Sequence, residues 1–340
     1  MRYIPPSVSD VARLANVSPA TVSRAFNSPQ LVGPETRERI QIAANQLGYQ
    51  PYGLARSLRS RRSMVIGIVM PSLRYSFYAG TLEFLQSLLA REGYTLVLCS
   101  ANNDPQLELE GVKAMMAQGV DGVILFGRPL NDESTPLLTR RGLPFLRCWS
   151  ALPQEPSVAF DHGLAMKGVV EHLVTLGHKK FAVVIPFIAL RDRCRGRLEA
   201  VRDALAEHGI ALSNQEVVDD GGLDAASGRA AYQTLLQRGV NATAIICSND
   251  LIAAGVILEC QAKGLRVSQD VSVTGYNDSE LASAFEPPIT SVDTPLEIHA
   301  QEVAKAMLAA LREDEPFPII RLPTYLRIRK STGPNTRKDA

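Results

Sequence analysis

Few side chains in this 340-residue sequence are placed to make or break bonds. Its five histidines, His162, His172, His178, His208 and His299, have neither metal-ligand spacing nor a partner serine in a nucleophile elbow. Its five cysteines, Cys99, Cys148, Cys194, Cys247 and Cys260, form no C-x-x-C pair and mostly sit beside apolar residues, so neither zinc nor disulfides are implied. Gly221-Gly222 lacks the Lys-Ser/Thr of a phosphate loop. No catalytic residue, metal or cofactor is expected. The chemistry on offer is hydrogen bonding. Ser18-Pro19-Ala20-Thr21-Val22-Ser23-Arg24 sets hydroxyls and a guanidinium along one short segment, groups that hold phosphates and read base edges. Further along, aromatic and polar residues follow apolar runs: Phe77, Tyr78, Trp149, Asp161, Ala189 to Arg193, Leu223, Asn249 and Asn277. Residues at the ends of buried strands are where small ligands are held.

Positioning the first set takes short helices. Ser9-Asp10-Val11-Ala12-Arg13-Leu14-Ala15 opens on a residue of N-cap type and spaces its apolar residues along one face, predicting a helix with Ser9 at its start. After a tight connection at Asn16-Val17, Ser18 caps a second helix whose first residue is Pro19, where a missing N–H costs nothing. Ala12, Val17 and Val22 are expected to pack the pair together. A third helix opens at Pro34-Glu35-Thr36, runs amphipathically through Arg39, Ile40, Ala43 and Leu47, and stops at Gly48. Two short helices, the second bearing hydroxyls and an arginine, match the helix-turn-helix that lays its second helix in the DNA major groove. Charge agrees with this. Residues 1–62 carry nine Arg and Lys against three acids, Asp10, Glu35 and Glu38, whereas the remainder is net acidic. Such a head is drawn to the phosphate backbone and such a body repelled from it.

From Ser63 the pattern changes. Val65 to Val69, Thr95 to Cys99 and Gly122 to Phe126 are apolar runs of strand length separated by helical segments, and Lys180 to Ile185, Ala244 to Cys247 and Val271 to Tyr276 repeat the rhythm. Continuous apolar strands between helices predict parallel sheets covered on both faces, here two doubly wound lobes with a ligand cleft between them.

Six motifs fall in the order and spacing of the lactose/galactose repressor family of bacterial transcriptional regulators: Ser9-Asp10-Val11-Ala12, Val17-Ser18, Thr21-Val22-Ser23-Arg24, Thr36-Arg37, Leu47-Gly48-Tyr49-Gln50-Pro51 and Ala55-Arg56-Ser57-Leu58. The chain resembles that family nearly throughout. The resemblance implies an α/β protein with a small all-α helix-turn-helix head and a periplasmic-binding-protein-like core of two doubly wound parallel sheets. The expected bounds are a head over 1–50, a hinge helix over 51–62 and a core over 63–340, with lobe one about 63–162 and 293–323 and lobe two about 163–292 and 324–332. The implied DNA contacts are Ser9, Ser18, Pro19, Ala20, Thr21, Ser23, Arg24, Asn27, Thr36, Tyr49, Ala55, Arg56 and Leu58. Pro19, Ala20 and Arg24 would read bases, Thr21, Ser23 and Asn27 would hold phosphates or cap the helix, and Leu58 would wedge into the minor groove. Tyr52 departs from the asparagine common in the family's hinge.

The implied effector contacts are Phe77, Tyr78, Trp149, Asp161, Ala189, Arg193, Leu223, Asn249 and Asn277. Trp149 and Asn277 stand where relatives often have aspartate, so with Arg193 retained the pocket leans towards a sugar acid or sugar phosphate. The expected partners are a pseudo-palindromic DNA operator, a small-molecule effector and a second copy of the chain. The polar end of the chain, Gly333 to Ala340, is too short for a leucine zipper, which favours a dimer over a tetramer. No apolar run approaches the ~20 residues of a membrane span, and the N-terminus lacks a secretory pattern, so the expected compartment is the cytoplasm. A solute receptor would explain the body but not the basic head, and a sugar-processing enzyme would lack its catalytic groups.

Overall fold

The computed structural model describes residues 6–49, 62–74, 76–128, 130–149, 156–219, 221–313 and 315–336. Ala55, Arg56 and Leu58, with Tyr52 and most of the expected hinge, lie outside the described residues. The chain divides into two compact units, 1–65 and 66–340.

The first unit holds α1 (Val8–Leu14), α2 (Pro19–Asn27), a single 3-10 turn (Pro29–Leu31) and α3 (Pro34–Leu47). Helix α1 begins earlier than Ser9, because Ser7 and Asp10 close a capping box: Asp10 N–H donates to Ser7 Oγ and the Asp10 carboxylate accepts from Ser7 N–H. Satisfying two orphan donors reciprocally outweighs the single cap Ser9 could supply. Asn16 takes the left-handed conformation at the corner (φ +52°), which asparagine tolerates. Ser18 caps α2, and Gly48 ends α3 at φ +65°. Val11, Ala12, Ala15, Val22, Ala25, Ile40, Ala43, Ala44 and Tyr49 form the core, with Val17 packed against it.

Among the described residues the second unit contains two six-stranded sheets. The strands of sheet one are β1 (Val65–Met70), β2 (Thr95–Ser100), β3 (Gly122–Phe126), β4 (Phe145–Cys148), β5 (Ser157–Phe160) and β11 (Ile319–Leu322), in the order β11-β5-β4-β3-β1-β2. Those of sheet two are β6 (Phe181–Val184), β7 (Val217–Val218), β8 (Ala244–Cys247), β9 (Ser272–Asn277), β10 (Thr290–Asp293) and β12 (Tyr325–Arg327), in the order β12-β10-β9-β8-β6-β7. Registers such as Ile68 opposite Ile124 and Val184 opposite Cys247 are parallel. Two features depart from expectation. Strand β12 runs antiparallel to β10, because the chain enters that edge only two residues after leaving sheet one at Leu322, too short a link for a parallel crossover. Edge strand β2 is covered on neither face completely, leaving Val97 and Leu98 each 36 % exposed.

Helices α4 (Ser76–Arg91), α5 (Pro105–Ala117), α6 (Ser134–Arg140) and α12 (Leu296–Glu313) serve sheet one. Helices α7 (His162–Thr175), α8 (Asp192–Glu207), α9 (Ala225–Gln237), α10 (Asp250–Ala262) and α11 (Glu280–Ala284) serve sheet two. In each sheet the winding reverses between the first and third strands, β1 and β3 in one and β6 and β8 in the other. A crevice opens outside the carboxyl ends of strands at such switch points.

Candidate DNA-contact face and ligand cleft

In the first unit the packing of α2 decides what it can present. Val22 and Ala25 point into the core, so Pro19, Ala20 and Arg24 are left exposed on its other side, with Ala20 and Arg24 one turn apart. Ser18 Oγ accepts from Thr21 N–H at 3.1 Å and shares a hydrogen bond with Thr21 Oγ1 at 2.8 Å, so both hydroxyls serve the cap. Ser23 and Thr36 are half-buried, Ser9 is exposed on α1, and Asn27 ends α2. Tyr49 is only 8 % exposed, and its ring lies 5.9 Å from that of Phe26, making it chiefly a core residue.

In the second unit, the switch points of both sheets face one cleft, and side chains from the two lobes meet across it. Arg193, in the first turn of α8, donates from Nη2 to the Tyr78 hydroxyl on α4. Arg191 Nη2 donates to Asn103 Oδ1 at 2.6 Å, and Arg128 N–H to Asp192 Oδ1 at 3.4 Å. What remains between these contacts is a cavity of about 20 Å³, lined by Trp149, Arg191, Arg193, Cys194, Arg197, Leu223, Ser248, Asn249 and Asn277. A water needs about 10–15 Å³ of such space, so among the described residues the cleft has room for about one water, and a sugar enters only if the lobes separate. A larger cavity, about 530 Å³, opens beside Leu143, Phe145 and Phe317. It lies at the starts of β4 and β11, the wrong ends of the strands for the fold's ligand crevice.

The floor of the cleft is aromatic. Trp149 follows β4 in a left-handed conformation (φ +62°), which turns its indole inward against Tyr78, Phe160 and His299 at centroid distances of 5.9, 5.2 and 5.4 Å. His299 Nε2 lies 3.1 Å from Val158 O, and burial pushes its pKa down to about 4, so the ring is neutral. Arg197, one turn beyond Arg193, lies 3.5 Å over the Tyr276 ring and donates from Nη1 to Ser248 O at 3.1 Å.

The structure gathers Trp149, Arg193, Leu223, Asn249 and Asn277 around the cavity, with Tyr78 joined through Arg193. Asn249 is engaged at both ends of its amide: Oδ1 accepts from Ile252 N–H at 2.7 Å, capping α10, and Nδ2 donates to Leu223 O at 3.0 Å. It shapes the wall as much as it lines it. Asp161 caps α7 by accepting from Leu164 N–H at 2.9 Å, and Ala189 sits on an exposed turn, so neither lines the cavity. Phe77 belongs to α4. Sequence reasoning passed over Cys194 and Arg197, although four-residue spacing from Arg193 places Arg197 on the same helical face. Among the described residues no group of three or more His, Cys, Asp or Glu side chains could hold a metal ion, and no helix is long and apolar enough to cross a membrane.

A sequence profile of the lacI family of bacterial regulatory proteins matches residues 7–52, and one of a periplasmic binding protein-like domain matches residues 170–332. The transcriptional regulator CelR of Thermobifida fusca is 31 % identical over 338 residues, covering 96 % of this chain and 98 % of that protein. Catabolite control protein A of Priestia megaterium is 29 % identical, covering 96 % of this chain and 99 % of that protein. The Lac repressor dimer, solved bound to operator and the anti-inducer ONPF, superposes with a TM-score of 0.87 at 28 % identity, covering 97 % of this chain and 99 % of that one.

Proposed function

This chain belongs to the lacI family of bacterial regulatory proteins, and from that premise we propose that it is a repressor whose grip on a pseudo-palindromic operator is set by a small molecule bound between the two lobes. The observation that carries the reading is the exposed Pro19, Ala20 and Arg24 face of α2 on a basic three-helix unit. With Ser18 and Thr21 at its start, that helix offers the positive end of its dipole to a phosphate while Arg24 reaches a base edge.

The effector is a sugar or sugar derivative, held by Tyr78, Trp149, Arg193, Leu223, Asn249 and Asn277. To enter, it must replace the Arg193–Tyr78 and Arg191–Asn103 contacts that close the cleft. An effector that binds open and closed arrangements unequally shifts the balance between them, and this is its lever on DNA affinity. The protein acts as a homodimer in the cytoplasm and is not an enzyme. Apolar side chains left exposed at the edge of sheet one, Phe84, Val97 and Leu98, and seven residues apart on α10, Leu251 and Leu258, supply surface for self-association. The test is fluorescence anisotropy on duplexes from the region upstream of its own gene. Salt-dependent binding to one palindromic segment, far tighter than to a shuffled duplex, is expected; equal binding to both would refute the reading.

A further inference from the structure

We propose that the lobe built on sheet one carries a second ligand site, separate from the cleft, which takes a neutral aromatic molecule bearing an acceptor oxygen and an O–H or N–H donor. The site is the cavity of about 530 Å³ at the starts of β4 and β11. Ligand pockets occupy about 300–1,000 Å³ and are lined mainly by apolar side chains with a few placed polar groups. This cavity meets both conditions. Its walls come from α6, β4, the end of α12 and the links beside them, all of which serve sheet one. A ligand therefore reaches it without any separation of the lobes, whereas the cleft has room for about one water.

The lining sets the chemistry of the ligand. Phe145 and Phe317 supply two phenyl rings, and Leu143, Pro144 and Pro156 extend the apolar wall. Both rings are only half-buried, so flat apolar surface is left for a planar ring to cover. On the buried side stands Arg147, 3 % exposed, whose Nη2 donates to Thr135 Oγ1 and whose Nη1 donates to Gly127 O at 3.3 Å. Thr135 Oγ1 accepts in that bond, and among the described residues nothing accepts its hydrogen, so the hydroxyl is left to donate to an acceptor oxygen of the ligand. The Thr139 hydroxyl is already committed, donating to Thr135 O at 3.0 Å. On the exposed side Glu315 makes no ion pair among the described residues, so its carboxylate is available to a donor. The two charges select against charged ligands: an anion would meet Glu315 and a cation would meet Arg147. A neutral ring with one acceptor and one donor meets neither penalty.

The probe is 4-(hydroxymethyl)benzophenone, which is neutral and carries two rings, a ketone acceptor and a hydroxyl donor. On irradiation its ketone inserts into nearby C–H bonds, so one compound reports both affinity and place. The full-length protein is titrated with it by calorimetry, then irradiated, and the labelled peptides are located by mass spectrometry. Trp149, the one tryptophan in the chain, lines the cleft cavity rather than this one, so its emission follows the cleft ligand separately. Half-saturation at about 0.5 mM or below is expected, with the label on residues 135–147 or 310–317. The carboxylate and aminomethyl analogues should each bind more weakly, and the analogue with a methylene in place of the ketone should bind about 5-fold more weakly. Thr139→Trp, at an exposed position on the cavity wall, places an indole in the space the ligand needs and should weaken binding at least about 10-fold. No binding at about 1 mM, a label scattered over the surface or placed in the cleft, equal binding of any of the three analogues, or a folded Thr139→Trp protein that binds as wild type does would overturn the inference. If Thr139→Trp does not fold, the position of the label in the wild-type protein decides.

Discussion

Replacing Gly255 by alanine should destabilise the protein, while the same replacement at Gly168 should stabilise it. Helices α9 and α10 touch backbone to backbone: a Cβ at Gly255 would lie 2.0 Å from Ala225 O, and one at Gly228 would lie 2.2 Å from Ile252 O. Ordinary van der Waals contact begins at 3.4 Å, so the Gly255→Ala helices must part by well over an ångström, and the obstacle is a carbonyl that cannot rotate aside. Alanine gains about 1 kcal/mol over glycine in a helix interior, but forcing a methyl into a packed contact costs about 1–3 kcal/mol or more. With backbone as the obstacle, the upper end applies and the net loss is about 2 kcal/mol. At roughly 2–4 °C per kcal/mol for a unit of this size, the melting midpoint should fall by about 4–8 °C. Gly168 lies within α7 with nothing inside 4 Å of its added Cβ, so Gly168→Ala keeps the full helical gain and should melt about 2–4 °C higher. Thermal unfolding followed by circular dichroism reads both variants against wild type. The movement in Gly255→Ala also displaces Asn249, the cap of α10, so ligand affinity should fall with stability. A Gly255→Ala protein that melts at or above the wild-type midpoint would refute the close helix contact and the account of how Asn249 is placed.

Three further outcomes follow from particular contacts. Arg24→Ala should cost about 1–3 kcal/mol of operator binding and relax the preference at one base pair, read as anisotropy over single-base variants of the operator. Uniform weakening across all variants would instead make Arg24 a phosphate contact. Ser18→Ala removes the oxygen that accepts from Thr21 N–H and should lower the stability of the head by about 1 kcal/mol in urea unfolding; an unchanged midpoint would mean that the cap is dispensable. Burial raises the Asp250 pKa to about 6, above its unfolded value of about 3.9. The folded state therefore holds this proton more tightly, and stability falls as pH rises from about 4 to about 6, by about 3 kcal/mol from this group. Asp250→Asn should be more stable relative to wild type at pH 7 than at pH 4.5, and parallel pH profiles would contradict it.

Much of the architecture was legible in the sequence because it rests on local signals. Ser18-Pro19 and Gly48 punctuate their helices as their backbone chemistry requires, and the runs at Val65, Gly122 and Ala244 become buried parallel strands. The cap of α1 was misplaced because Ser7 and Ser9 are both suitable, and only the reciprocal bond with Asp10 separates them. The antiparallel turn of β12 depends on a short link between two sheets, which periodicity does not report. In the candidate site, strand ends pointed to Trp149, Leu223, Asn249 and Asn277, since in this fold they open on the crevice. Arg197 stayed hidden because it lies more than a turn inside α8, and only the stacking on Tyr276 brings its guanidinium back to the cleft. Closure of the cleft was equally invisible, for it depends on pairs far apart in sequence, Tyr78 with Arg193 and Asn103 with Arg191.

The central claim is that one small molecule and one operator are bound by the same chain and influence each other. The direct test is to measure the affinity of the ligand found by Trp149 fluorescence twice, with free protein and with protein saturated by its operator. Linkage requires that the operator change ligand affinity by the same factor by which the ligand changes operator affinity, typically about 5- to 150-fold. Two matching factors of that size are predicted, and equal ligand affinities with and without operator would contradict the account.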